Sequence, residues 1–177
     1  MKNFKIVSLI IALVIMSSLF IACDGGADIT LPPEDGNTTE AAEKNNAFVF
    51  VYNNTEVAPH AKMAELINGL GDPTTYEESE SCYYQGLDKD YTYPGFKLRT
   101  YPMNGVDYVL NICFVDDSVT TPEGIMLGLS RDEVIAAYGS SYTEQNGSTV
   151  YTIGKTELRF RFSDNGVTAI EYWAITD

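Results

Sequence analysis

Residues 149–175 read TVYTIGKTELRFRFSDNGVTAIEYWAI, and this stretch decides the fold of the chain. It contains three strand-like segments joined by two turn motifs: 149–153, 156–162 and 167–175, with Gly154-Lys155 and Asp164-Asn165-Gly166 between them. In the middle segment apolar and charged residues alternate: Leu158, Phe160 and Phe162 against Glu157, Arg159 and Arg161. Since successive side chains of a strand point to opposite faces, the stretch predicts an antiparallel β-meander with one apolar face.

A short helix is predicted just before this meander. Ser130 is followed three residues later by Glu133, which is the spacing of a capping box. Leu129 and Val134 can then form a hydrophobic staple across the start of the helix. Gly139 is placed to end it.

The same unit is predicted once more, earlier in the chain. Its helix has apolar residues at i, i+3, i+4 and i+7: Met63, Leu66, Ile67 and Leu70. A shift of 68 positions places Glu133 on Glu65 and Gly139 on Gly71. Four strand segments follow it: 82–85, 91–93, 96–101 and 106–115. The sequence therefore predicts an α+β fold of two tandem repeats, about 56–117 and about 125–177, each a helical segment packed on an antiparallel β-meander.

The N-terminal residues have the parts of an export signal. Two lysines precede an uncharged apolar segment, residues 6–20, which is shorter than the roughly 20 residues of a membrane-spanning helix. Its end resembles the lipobox of bacterial lipoproteins, although Phe20 stands where leucine is usual. That resemblance implies that residues 1–22 are a signal peptide and that Cys23 carries a lipid anchor. Ordinary secretory cleavage and an uncleaved anchor stay open as alternatives.

An acidic tether and a folded domain are predicted after the signal peptide. Residues 23–46 are rich in glycine, proline and small polar or acidic residues and lack aromatic ones, so they cannot bury enough apolar surface to fold. As a flexible chain this tether would span about 25 Å and hold the folded residues 47–177 near the membrane. The formal net charge of −14 becomes −16 without residues 1–22. Such a surface repels phosphates, so nucleic acid is not an expected partner.

Two runs within the folded part resemble a known group of proteins. They are SCYYQGLDKDYTYPGF (81–96) and TYPMNGVDYVLNICFVDDSVTTPEGIMLGLSRDEVIAAYG (100–139). They are similar to small lipoproteins of unassigned function from Gram-positive anaerobes. The wider pattern resembles the β-lactamase-inhibitor-protein-like fold and the outer-membrane assembly lipoproteins of the SmpA/OmlA type. The resemblance implies a non-enzymatic extracytoplasmic binding or assembly role, and it carries no catalytic residues.

The search for reactive groups yields no catalytic residue, metal site or cofactor. His60 is the only histidine, and its place beside a proline at a helix start favours a solvated or capping role. Asp116, Asp117 and Glu123 could together coordinate calcium, but their spacing is not that of an EF-hand, and a solvated acidic loop is the preferred interpretation.

Besides Cys23, the chain has two cysteines, Cys82 and Cys113. In a meander they would lie at least two strand spacings apart, about 10 Å, whereas a disulfide requires Cα atoms within about 7 Å. Two free thiols are therefore the default, with a disulfide as the alternative.

Tyrosine is the one positive signal for recognition, with twelve in the chain. It offers a large contact area, few rotatable bonds and a polar tip. We expect Tyr83, Tyr84, Tyr91 and Tyr93 to line a binding face, although aromatic residues also favour strands for structural reasons. The predicted function is a membrane-anchored, non-enzymatic module that binds a protein or peptide. The alternative is a small carboxylate-dependent, carbohydrate-active hydrolase of the cell envelope.

Overall fold

Strands dominate the folded chain in the computed structural model, which describes residues 46–176. The chain opens with a hairpin of two short strands, β1 (Phe50–Tyr52) and β2 (Thr55–Val57). Helix α1 (Met63–Leu70) then precedes four strands: β3 (Thr75–Glu80), β4 (Leu87–Tyr93), β5 (Phe96–Met103) and β6 (Val106–Phe114). Helix α2 (Arg131–Tyr138) precedes four more: β7 (Thr143–Gln145), β8 (Ser148–Ile153), β9 (Thr156–Ser163) and β10 (Gly166–Ala174).

Strands β3 to β10 form one antiparallel sheet in the order β3-β4-β5-β6-β10-β9-β8-β7. Two four-stranded meanders meet where β6 lies beside β10, and there Cys113 stands opposite Glu171. The turn between β5 and β6 uses Asn104 and Gly105, whose φ angles are 53° and 76°. Two consecutive positive φ angles match the twist of a tight hairpin, which is why Asn-Gly is favoured there.

One face of this sheet carries the hydrophobic core. The β1–β2 hairpin lies over it, because Phe50 is fully buried with its ring centroid 4.9 Å from that of Phe96 and 5.1 Å from that of Phe114. Helix α1 buries three apolar side chains in the same core: Met63, Leu66 and Leu70. Helix α2 adds the buried Val134, and Tyr138 at its end packs with its ring centroid 5.3 Å from that of Phe160.

The predicted α+β class, with two tandem repeats of a helical segment on a meander, is wrong. The structure is mostly β, with a single continuous eight-stranded sheet and two short helices among the described residues. Each helix has eight residues and is about 12 Å long. The sheet of eight strands is about 34 Å wide, measured across its strands. The helices are therefore too small to form a layer. The β1–β2 hairpin and the segment of residues 115–130, which buries Val119 and Ile125, complete the cover of the core.

Individual elements follow the local sequence signals more closely. The capping box of α2 is confirmed, since Ser130 Oγ accepts from the Glu133 N–H and the Glu133 carboxylate accepts from the Ser130 N–H. Both helices end at a glycine with positive φ, Gly71 and Gly139. The strand predicted at residues 82–85 is wrong, because that segment is the loop between β3 and β4.

Strand β3 was not predicted, and the reason lies in its exposure. Its sequence is TYEESE, and all six residues are exposed at the edge of the sheet. An edge strand with neither face buried shows no alternation of apolar and polar residues, so the sequence carries no signal for it.

Several predictions fall outside the described residues. They are the signal peptide 1–22, the lipid attachment at Cys23 and all of the tether up to residue 45. Between residues 46 and 176, no helix has both the length and the apolar character needed to cross a membrane.

Candidate binding groove

The second face of the eight-stranded sheet is lined by polar and charged side chains, and we call it the polar face. Successive side chains of a strand point to opposite faces, so the residues that alternate with core residues along each strand lie on the polar face. Four of these residues form one row across neighbouring strands, in the order Lys97 (β5), Cys113 (β6), Glu171 (β10) and Arg159 (β9). The charged residues that alternate along β9 therefore all lie on the polar face.

Two ion pairs lie on the polar face. The Arg99 guanidinium donates two hydrogen bonds of 2.7 Å to the Asp90 carboxylate across β4 and β5. Arg159 Nε donates to Glu157 Oε2 at 2.8 Å. The Arg159 guanidinium carbon also lies 4.8 Å from the centroid of the Trp173 ring, a cation–π contact.

A cavity of about 420 Å³ opens at one end of the polar face. Aromatic rings dominate its lining, which consists of Ser81, Tyr83, Tyr84, Asp88, Tyr101, Leu110, Trp173 and Thr176. A second cavity of about 350 Å³ adjoins it, with His60 and Met103 in its wall. Tyr84, Tyr101 and Thr176 line both cavities, and we call the two adjoining cavities together the aromatic groove.

The central rings of the aromatic groove are held from several sides. Tyr101 has its ring centroid 5.1 Å from that of Tyr84 and 5.7 Å from that of Tyr108. Its hydroxyl lies 2.9 Å from His60 Nδ1, and His60 Nε2 lies 3.1 Å from the Lys155 carbonyl oxygen. Burial, followed by the nearby Tyr84 and Tyr108, raises the pKa of Tyr101, so its phenol stays neutral and keeps its proton for hydrogen bonding.

The loop between β3 and β4 places the outer aromatic side chains. Ser81 N–H donates to the Gly86 carbonyl at 3.0 Å, and the Tyr84 N–H donates to Ser81 Oγ at 3.3 Å. These bonds close residues 81–86 into a compact turn. Tyr83 at its tip is 92% exposed.

The four tyrosines predicted to share a binding face do not lie together. Tyr83 and Tyr84 line the aromatic groove. Tyr91 and Tyr93 are 6% and 2% exposed and belong to the hydrophobic core, because strand alternation turns them to the covered face of β4. The expectation that Tyr91 and Tyr93 line an open surface is therefore corrected.

The sequence did not indicate six of the residues that line the larger cavity: Ser81, Asp88, Tyr101, Leu110, Trp173 and Thr176. The pairing of β5 with β6 shifts register between Arg99 and Thr100, so that Asn111 and Val109 face consecutive residues of β5. Leu110 is the extra residue of this bulge. The alternation of residues along β10 could have predicted that Trp173 lies on the face away from the core. A bulge has no comparable sequence pattern, so the position of Leu110 could not be predicted.

The acidic loop considered for calcium contains other contacts. Asp116 accepts hydrogen bonds from the backbone N–H and the hydroxyl of Ser118, which lower its pKa. The Glu123 carboxylate accepts from the Tyr138 hydroxyl. Within residues 46–176, no group of three or more histidine, cysteine, aspartate or glutamate side chains is placed to hold a metal ion.

The two described cysteines are free thiols. Cys82 is exposed in the β3–β4 loop, whereas Cys113 is half-buried on the polar face. Burial, together with the neighbouring Glu171 carboxylate, raises the pKa of the Cys113 thiol to about 12. Cys113 is therefore protonated at neutral pH and is a poor nucleophile.

The chain matches no protein family model, no curated protein and no solved structure.

Proposed function

We propose that this chain is a non-enzymatic binding module that captures a protein or peptide segment in the aromatic groove, while Cys23 anchors it by lipid to the extracytoplasmic face of the cell membrane. One observation carries the proposal. The larger cavity is walled by Tyr84, Tyr101 and Trp173, and Tyr83 stands 92% exposed at its rim.

The physical chemistry of these side chains suits recognition. Tyrosine and tryptophan combine a large apolar area with a hydrogen-bonding tip, and they are enriched at protein interfaces. Leaving a whole tyrosine ring in water, as at Tyr83, forgoes burial that would stabilise the fold. A partner that covers the ring recovers that free energy on binding. A cavity of about 420 Å³ is also large enough to take in a long side chain.

The arrangement of carboxylates favours binding over hydrolysis. Glycoside hydrolysis requires two facing carboxyl groups, one of them a general acid with a raised pKa. The lining of the larger cavity includes one carboxylate, Asp88. Hydrogen bonds hold the pKa values of three exposed carboxyl groups below their usual range: Asp116, Glu133 and Glu144. These shifts are opposite to those that a general acid needs.

The test is crosslinked capture from intact cells that carry the lipidated protein. We expect the double variant Tyr83→Ala, Tyr84→Ala to lose the crosslinked partner, because it removes two rings from the groove. Tyr76→Ala is the matched control, since Tyr76 is 47% exposed on β3 and does not line the groove. Thermal unfolding checks that each variant folds. Capture that survives in a folded double variant refutes the proposal.

The anchor is tested separately. We expect metabolic labelling with a fatty acid to mark the protein, and Cys23→Ser to remove the label and release the chain from the membrane fraction. An unlabelled protein that retains an intact Cys23 would overturn the lipid anchor without touching the binding proposal.

A further inference from the structure

The carboxylate of the aromatic groove differs from its neighbours on β4 in forming no direct ion pair among the described residues. Within residues 46–176, no side-chain hydrogen bond and no ion pair within 4 Å involves Asp88, although its charge is close enough to Arg99 to help raise the pKa of that guanidinium. Two residues further along β4, Asp90 is bound by Arg99 through two hydrogen bonds of 2.7 Å. Between them, Lys89 donates to Asp107 at 2.8 Å. Asp88 therefore faces the larger cavity with its negative charge available to a ligand.

The aromatic wall around Asp88 adds a second attraction for positive charge. The faces of tyrosine and tryptophan rings carry negative potential, so a cation placed over them is stabilised, most strongly over tryptophan. Trp173 already holds the Arg159 guanidinium on one face, with 4.8 Å from the guanidinium carbon to the ring centroid. The cavity thus combines a carboxylate and several electron-rich rings, and its lining contains no basic side chain.

Charges of both signs lie near the cavity, Arg99 and Arg159 among them, but the chain as a whole is strongly acidic. Strand β3, which pairs with β4, presents the exposed Glu77 on the polar face opposite Asp90, whereas Glu78 and Glu80 lie on the other face of the sheet and Glu78 Oε1 lies 4.0 Å from Lys89 Nζ. The whole chain has a formal net charge of −14. Such a field raises the local concentration of cationic ligands and repels phosphate or carboxylate ligands. A metal ion would need more ligands than the single carboxylate of this cavity.

We infer that the larger cavity of the aromatic groove receives the cationic side chain of a lysine or arginine, presented by a basic segment of a partner protein. Asp88 accepts a charge-assisted hydrogen bond from it, the aromatic wall contacts its charge, and Leu110 contacts its methylene stem. This inference rests on the proposed function and names the chemistry of its partner.

The test uses the full chain and a natural probe, because Trp173 is the one tryptophan of the sequence and lines the cavity. Its fluorescence is followed during titration with N-acetylated, C-amidated pentapeptides of glycine with one central residue: lysine, arginine, norleucine or glutamate. We expect saturable changes with lysine and arginine, at dissociation constants of about 1 mM for a single side chain. Norleucine and glutamate should give no saturation in that range.

Two charge-matched variants locate the effect. Asp88→Asn should weaken the lysine peptide about tenfold, since it removes a charge-assisted hydrogen bond. Glu80→Gln makes the same change in net charge on the neighbouring strand, outside the lining of the cavity, and should alter affinity by less than about twofold because distant charges are screened. Thermal unfolding checks that both variants fold. If a variant does not fold, the comparison of the lysine and norleucine peptides on the unmodified chain still tests the inference.

The outcomes separate this inference from the proposed function. Equal binding of norleucine and lysine peptides, or an unchanged affinity in Asp88→Asn, overturns the cationic ligand. A saturable response to an N-acetylglucosamine tetramer, with none to the lysine peptide, overturns it in favour of a glycan. In either case, loss of crosslinked capture in Tyr83→Ala, Tyr84→Ala still supports the groove as a binding site.

Discussion

Phe50 gives the sharpest test of how the core is covered. It lies on β1, a strand of three residues, and its side chain is fully buried. Its ring centroid is 4.9 Å from that of Phe96, 5.1 Å from that of Phe114 and 6.1 Å from that of Tyr172. One side chain of a short hairpin therefore contacts residues from β5, β6 and β10.

The cost of Phe50→Ala can be estimated from these contacts. Burying a phenylalanine side chain contributes about 1.5–3 kcal/mol. The two shortest ring pairs add about 0.5–1.5 kcal/mol each. We therefore expect the free energy of unfolding to fall by about 4 kcal/mol, which agrees with the range of about 3–5 kcal/mol for such truncations. That is a large part of the roughly 5–15 kcal/mol that stabilises a domain.

Urea denaturation followed by fluorescence measures this change. With an m-value of about 2 kcal/mol per molar urea, the midpoint should fall by about 2 M. Val51→Ala is the matched control, since Val51 follows Phe50 on the same strand but is 46% exposed, and it should change stability by less than about 0.5 kcal/mol. If Phe50→Ala costs no more than Val51→Ala, the hairpin is not part of the core, and the account of how the sheet is covered fails.

Two further predictions concern the start of α2 and the chemistry of Cys113. Ser130→Ala removes the hydroxyl that accepts the Glu133 N–H in the first turn of the helix and should lower the free energy of unfolding by about 1 kcal/mol in urea titrations. Ser140→Ala is the control, since Ser140 lies just beyond the end of α2, and it should leave the free energy of unfolding unchanged. In native protein at pH 8, iodoacetamide should modify Cys82 and spare Cys113, whose alkylation should rise only as the pH approaches its pKa of about 12. Mapping by mass spectrometry checks this, and equal labelling of both thiols at pH 8 would contradict the half-buried, protonated state of Cys113.

The sequence predicted those features of the fold that depend on residues a few positions apart. Segment 149–175 predicted three strands, and the bounds of β8, β9 and β10 differ from the predicted ones by at most one residue. The capping box at Ser130 and the terminal glycines of both helices also follow from local spacing. The fold class was not predictable in this way, because periodicity detects a helix but not whether it is long enough to cover a sheet.

The candidate site was predictable only in part. The abundance of tyrosine indicated recognition, and two of the four selected tyrosines, Tyr83 and Tyr84, line the aromatic groove. The other two, Tyr91 and Tyr93, are buried. Aromatic residues serve cores and surfaces alike, so their number does not show which face of a strand they occupy.

By itself, then, the sequence determined the turns, the helix ends and the alternation of β9, because each depends on residues a few positions apart. Only the tertiary structure decided that β6 pairs with β10, that Leu110 bulges, and that Asp88 and Trp173 meet in one cavity. These features join residues as many as 85 positions apart, from Asp88 to Trp173. Their pairing is selected by the packing of the whole sheet, and no local pattern records it.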